Sequence, residues 1–134
     1  RFPVSLSYTH INAKFDSDIA DTDFFGSVSK GDPLPYIPKN QALVRAGVEG
    51  EHWGAYVSAN FIDGACVRAS CGSYEATDAS TFIDASFFIS LNERITLSAT
   101  LENLNDEATI VGRTPYGARP NKPRTATLGI RVAL

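Results

Sequence analysis

A chain of 134 residues, 43% apolar and 20% charged, has the composition of an ordinary folded domain rather than of a disordered segment. Its net charge of -3 excludes the clustered Lys and Arg surface that nucleic-acid phosphates require, so no nucleic-acid partner is expected. No apolar run nears the ~18 residues of a spanning helix, and Arg1-Phe2-Pro3 does not open a signal peptide, which excludes a helical membrane protein and leaves a barrel open.

The first segment, Val4 to Thr9, sets Val4, Leu6 and Tyr8 opposite Ser5, Ser7 and Thr9 and loses its phase at His10-Ile11. Strict alternation of this kind puts apolar and polar side chains on opposite faces of a strand, whereas a helix would scatter them around its circumference. From Asp16 to about Pro38 the chain is rich in Gly, Pro, Asp and Ser and reads as a long loop. Between Gln41 and Glu49 the set Ala42, Val44, Ala46 and Val48 alternates with Gln41, Leu43, Arg45, Gly47 and Glu49. A tight turn, Gly50-Glu51-His52, leads into Trp53, Ala55, Val57, Ala59 and Phe61, which alternate with Gly54, Tyr56, Ser58 and Asn60.

A second long loop runs from Asp63 to Ser80 and holds Cys66 and Cys71 among Gly and small polar residues. A local disulfide between them fits an oxidising compartment such as the periplasm or cell surface. A zinc site would need further ligands nearby, and His10 and His52 are remote in sequence. Thr81 to Asn92 sets Ile83, Ala85, Phe87, Ile89 and Leu91 against Asp84, Ser86, Phe88, Ser90 and Asn92, and a short turn at Asn92-Glu93-Arg94 follows. Ile95 to Glu102 alternates Ile95, Leu97, Ala99 and Leu101 with Thr96, Ser98, Thr100 and Glu102. After a third long loop, Asp106 to Arg124, the last segment sets Ala126, Leu128, Ile130, Val132 and Leu134 against Thr125, Thr127, Gly129, Arg131 and Ala133.

Turns of about three residues thus alternate with long loops, and they join strands of about 9 to 11 residues. This is the layout of an outer-membrane barrel, with both chain ends on the side of the short turns. The apolar set carries no charge and no Asn, Gln, Ser or Thr on any of the six segments, as lipid demands, since a Lys or Arg at mid-bilayer costs about 2 to 4 kcal/mol. A soluble antiparallel sandwich, an adhesion or carbohydrate-binding domain, also alternates and is the competing reading. Six strands alone would leave two unpaired edges, which hydrocarbon does not tolerate, so the chain is expected to be part of something larger.

Catalytic chemistry finds no support. Neither histidine stands at a recognisable spacing from a Ser, Cys or carboxylate, and there is no phosphate loop, Gly-x-Ser-x-Gly or His-Glu-x-x-His, so no enzyme, cofactor or bound metal is expected. His10 and His52 read as surface residues.

Asn103-Leu104-Asn105-Asp106 and the loop Arg113-Thr114-Pro115-Tyr116-Gly117-Ala118-Arg119-Pro120-Asn121-Lys122-Pro123-Arg124 resemble the C-terminus of TonB-dependent outer-membrane receptors. In that family an Asn-Leu-Phe-Asp-like motif ends the penultimate strand, a Gly-containing loop ending in Pro-Arg follows, and the last strand closes the barrel. Pro35-Tyr36-Ile37-Pro38-Lys39-Asn40 is similar to the segment at which a descending strand begins, and the resemblance runs from about residue 4 to the end. Pro-Tyr-Gly-Ala-Arg-Pro resembles the ferric citrate and siderophore receptors most. Asn105 stands where the family has Phe, and Leu134 where it ends in an aromatic.

The resemblance implies an all-β antiparallel meander of six strands, residues 1–134, forming the C-terminal part of a barrel of about 22 strands whose plug domain and earlier strands are absent here. It implies a bacterial outer-membrane location. It also implies uptake of a ferric siderophore or ferric citrate, with membrane lipid, the barrel-assembly machinery and, through the plug, the TonB complex as partners. Ferric complexes of this kind are commonly anionic, and Arg forks suit their carboxylates. Arg68, Arg113, Tyr116 and Arg119 on the outer loops are therefore the candidate ligand contacts. The competing role for Arg119 and Arg124 is to pack the loop or to bind lipopolysaccharide phosphate. Inward-facing Arg45, Glu49, Asp84 and Arg131 are expected to form a salt-bridge network on the lumen wall.

Overall fold

The computed structural model describes residues 1–23, 26–72, 74–114 and 117–133. Ten strands follow one another: β1 (Val4–His10), β2 (Ile19–Thr22), β3 (Gly26–Val28), β4 (Asn40–Glu49), β5 (Trp53–Ile62), β6 (Ser80–Ser90), β7 (Ile95–Glu102), β8 (Ile110–Gly112), β9 (Arg119–Pro120) and β10 (Thr125–Val132). Six of them form one antiparallel sheet in the order β1-β4-β5-β6-β7-β10, which are the six alternating segments read from the sequence. The other four make two small hairpins inside the long loops, β2 with β3 and β8 with β9. Neither hairpin was expected: strands of two to four residues are too short to show a period, and both have shifted registers.

Register in the large sheet follows from the alternation, because a slip of one residue would turn every side chain to the other face. Val57 stands opposite Ala46 on one side and Ala85 on the other, Ala85 opposite Leu101, and Leu101 opposite Ala126. One row further along, Val48, Ala55, Phe87, Ala99 and Leu128 form an equally apolar line. The whole apolar set lies on one face. It is not covered: Leu6 is 75%, Leu128 85% and Ile130 68% exposed. Among the described residues no second layer packs on this face, and the sheet's strands contact only their sheet neighbours. At ~3.3 Å per residue a ten-residue strand is about 33 Å long, enough to cross a bilayer's apolar band at a tilt of about 40°.

The opposite face is mixed and mostly polar. One cross-strand row reads Ser5, Arg45, Ser58, Asp84, and the next Gly47, Tyr56, Ser86, Thr100, Thr127. The expected salt-bridge network is not formed: among the described residues no ion pair joins Arg45, Glu49, Asp84 and Arg131. Arg45 and Asp84 are held two strand spacings apart with Ser58 between them, about 10 Å across the sheet. Arg45 instead lies over the Tyr56 ring, 4.1 Å from its centroid, and the Tyr56 hydroxyl donates to Glu49. Asp84 accepts from the backbone N–H of Asn103 at 2.8 Å.

The short turns, after β4 and after β6, lie at one end of the sheet, beside both ends of the described chain. The Gly47 and Glu49 amides bond the carbonyls of Pro3 and Arg1, and the Ala133 amide bonds the carbonyl of Arg94. The three long connections gather at the other end. Buried apolar residues occur only there among the described residues: Val28, Ala65, Val67 and Ala69. Leu134 lies outside the described residues.

Candidate functional site

The connection leaving β7 begins at Asn103, buried at 4% exposure and left-handed with φ 55°, a conformation that Asn tolerates better than most side chains. Its side-chain amide donates to the carbonyls of Glu107 and Lys122, both at 3.0 Å, and its oxygen accepts from the Glu107 amide at 2.9 Å. The chain leaving the sheet is thereby tied to the chain returning to it. Asn105 accepts from the Ile83 amide at 3.0 Å and donates to the Thr81 carbonyl at 2.7 Å, so it meets the part of β6 that extends beyond β7. A phenyl ring at that position would offer β6 neither bond. Asn121 closes the loop stem, exchanging bonds with Thr109 and donating to Glu107.

The second loop folds on itself. Cys66 and Cys71 are joined by a disulfide with their Cα atoms 5.2 Å apart, and Val67 and Ala69 are buried within the ring it closes. Val67 donates to the Glu75 carbonyl and Thr77 to that of Ala65. The Glu75 carboxylate accepts from the Gly72 amide at 3.0 Å and from the Ser70 hydroxyl at 2.8 Å, and it lies 3.7 Å from Arg68. These contacts hold the carboxyl below its ordinary range: the Gly72 amide contributes most, then Ser70; burial opposes them, and the charge of Arg68 adds the smallest lowering.

Tyr36 joins all three loops. Its amide donates to the Cys66 carbonyl at 2.7 Å, while its hydroxyl is bonded to that of Thr114 and accepts from the Thr114 amide at 3.2 Å. Burial alone would raise its phenol pKa. The bonds to the Thr114 hydroxyl and amide and to the Arg113 backbone, with the charge of Arg119, outweigh that and lower it. The second and third loops are also joined directly: Arg113 Nε donates to the Ala76 carbonyl, and Asp78 and Ile110 exchange bonds at 2.9 and 2.7 Å. Arg119 donates to the Thr114 carbonyl at 3.0 Å, and its guanidinium covers Gly112 so closely that a Cβ there would lie 2.9 Å from Nη2.

Of the expected ligand contacts, Arg113 and Arg119 are brought together beside Tyr36 and Thr114, while Arg68 lies apart, against Glu75. Tyr116 lies outside the described residues. Arg124 pairs with Asp106 at 3.8 Å. Sequence reading missed Tyr36 and also Lys14 and Lys39, which line a cavity of about 250 Å³ between the first and second loops. The one signal for Tyr36 was its place between Pro35 and Pro38, which marks a rigid turn and not a binding group. Among the described residues no group of three or more His, Cys, Asp or Glu is placed to hold a metal ion.

An antiparallel meander with one charge-free face, one polar face, short turns at one end and a cap of joined loops at the other is the wall of an outer-membrane type of β-barrel. No family model and no curated protein sequence matches the chain. Two solved structures match its fold. The siderophore receptor PiuA from Acinetobacter baumannii is 15% identical, with a TM-score of 0.78 over 98% of this chain and 19% of its own. The ferric-catecholate import receptor Fiu from E. coli K12, in its closed form, is 20% identical, with a TM-score of 0.72 over 98% of this chain and 18% of its own. The chain thus has the fold of a siderophore-receptor barrel segment and spans about a fifth of the length of either receptor.

Proposed function

We propose that residues 1–134 form the C-terminal wall of a TonB-dependent receptor barrel in a bacterial outer membrane, and that the whole protein imports a ferric siderophore or ferric citrate. Lipid covers the apolar face, a plug domain contacted by the TonB complex fills the lumen, and the barrel-assembly machinery inserts the sheet. The function is transport, not catalysis. The observation that carries this reading is the in-register apolar face, free of charge across all six strands and exposed to the surroundings. A soluble adhesion or carbohydrate-binding sandwich would cover that face with a second sheet of its own. The Pro-Tyr-Gly-Ala-Arg-Pro loop and the two structural neighbours favour an iron complex as cargo.

At the outer mouth, Arg68, Arg113 and Arg119 supply the cationic surface. Arg113 and Arg119 each use one guanidinium donor on a loop carbonyl and keep others for a ligand. The test is uptake of radiolabelled iron, as ferric citrate and as a ferric catecholate, by cells expressing the full-length protein that contains this chain. Uptake that stops when TonB is deleted is the expected result. Uptake indifferent to TonB, or a protein that is monodisperse and monomeric in plain buffer, would sink the reading.

A further inference from the structure

We propose that the cavity between the stem of the first loop and the start of the second is an oxyanion site, with Lys14 and Lys39 as its cationic contacts. The proposal rests on the receptor reading for the source of the anion, the carboxylate or catecholate oxygens of the ferric complex. Lys14 and Lys39 both line this cavity of about 250 Å³, together with Ile11, Pro33, Gly64 and Cys66. No Asp or Glu lines it.

The two lysines differ from every other described cation of the long loops. Lys30 pairs with Asp16, Arg68 with Glu75, Lys122 with Glu102 and Arg124 with Asp106, while Arg113 and Arg119 donate to loop carbonyls. Among the described residues Lys14 and Lys39 alone in these loops have no such partner, and both fall on one cavity. Four of the lining residues have carbonyl oxygens engaged in backbone hydrogen bonds. That of Cys66 accepts from Tyr36, that of Lys39 from Ile11, that of Ala13 from Leu34 and that of Ala65 from Thr77. The lining thus includes two lysines without an ion-pair partner among the described residues, on a wall held by the disulfide and by these bonds. A preorganised wall of this kind loses little entropy when a ligand binds. Lysine ammonium groups are compact charges with three rotatable donors on flexible stems, so they can follow an anion with several oxygens.

The experiment uses the full-length protein in detergent, stripped of lipopolysaccharide, with ferric citrate and ferric tris-catecholate as probes. In the double variant Lys14→Gln/Lys39→Gln, binding of whichever probe the parent takes should weaken about tenfold, the expected size for two partly exposed charge contacts, and its dependence on salt should flatten. Lys14→Arg/Lys39→Arg, which keeps both charges, should retain most of the binding. Parental affinity in the Gln pair would overturn the site, as would an equal loss in the Arg pair. Loss, in the Gln pair, of the lipopolysaccharide phosphate that co-purifies before stripping, with unchanged probe binding after it, would also overturn it, by assigning the lysines to lipid. A parent that binds neither probe would refute the receptor reading instead. Titration with inorganic phosphate then decides the site alone: perturbed ammonium signals of Lys14 and Lys39 support it, and unmoved signals overturn it.

Discussion

The six-stranded sheet and the loop cap above it solve opposite physical problems. The sheet has two faces and no core of its own, since its apolar face is exposed and its polar face opens to the lumen side. Backbone pairing between neighbours gives it order, and the surrounding medium must supply its hydrophobic stabilisation. The cap is the reverse: it has little regular structure, but it contains the buried apolar side chains Val28, Ala65, Val67 and Ala69 and a disulfide. The transferable point is that burial within the chain marks the loop region here, while an exposed apolar face marks the sheet.

The largest effect expected from this contrast is on the sheet. Ala99 lies between Phe87 and Leu128 on the apolar face, and Thr100 between Ser86 and Thr127 on the other. Ala99→Arg should block membrane assembly, at about 2 to 4 kcal/mol for a cation at mid-bilayer, whereas Thr100→Arg should assemble normally. Assembly measured as heat-modifiable migration on gels checks this, and equal effects would show that the faces are assigned wrongly. At the junction of the two regions, Asn103→Ala strips the partners from the part-buried Glu107 amide and from two carbonyls and should cost about 2 to 3 kcal/mol. A urea-unfolding midpoint in micelles that does not move would refute that role.

Within the cap, Cys66→Ser/Cys71→Ser should loosen the second loop by about 2 kcal/mol while leaving strand pairing intact. Limited proteolysis should then cut between 63 and 79, and circular dichroism should stay unchanged. Loss of sheet signal would mean that the two regions are not separable. The smallest effect concerns Glu75. Its carboxyl titrates below the ordinary value, so its contribution to the loop is fully present above the unfolded carboxylate pKa of about 4.3 and is lost as pH falls through its lowered folded value. Exchange of the Gly72 amide should accelerate in that acid window in the parent and show no such step in Glu75→Gln.

The turn chemistry and the alternation were legible from sequence because the sheet meets two different outside environments. A period of two residues then records which environment each side chain meets, with no knowledge of long-range contacts. For that reason all six strands, both short turns and the uncharged face could be read directly from segments such as Ile95 to Glu102. The lumen side was less legible. Arg45 and Glu49 could be placed on the correct face, but pairing depends on which residue sits in the intervening strand, and Ser58 separates Arg45 from Asp84.

The cap could be read only in part. Composition marked the loops as loops and chemistry marked Arg68, Arg113 and Arg119 as cations, yet their surroundings are contacts between chain positions dozens of residues apart. Tyr36 meets Thr114, and Arg113 meets Ala76, only after the sheet has brought the three loop stems side by side. By itself the sequence determined six strands, their uncharged apolar face and the short-turn end, because a local period and turn residues encode them, while the register came from the pairing of the strands. Tertiary structure alone decided which loop cations are paired and that two others, Lys14 and Lys39, line one cavity, because a charge's partner is set by long-range packing.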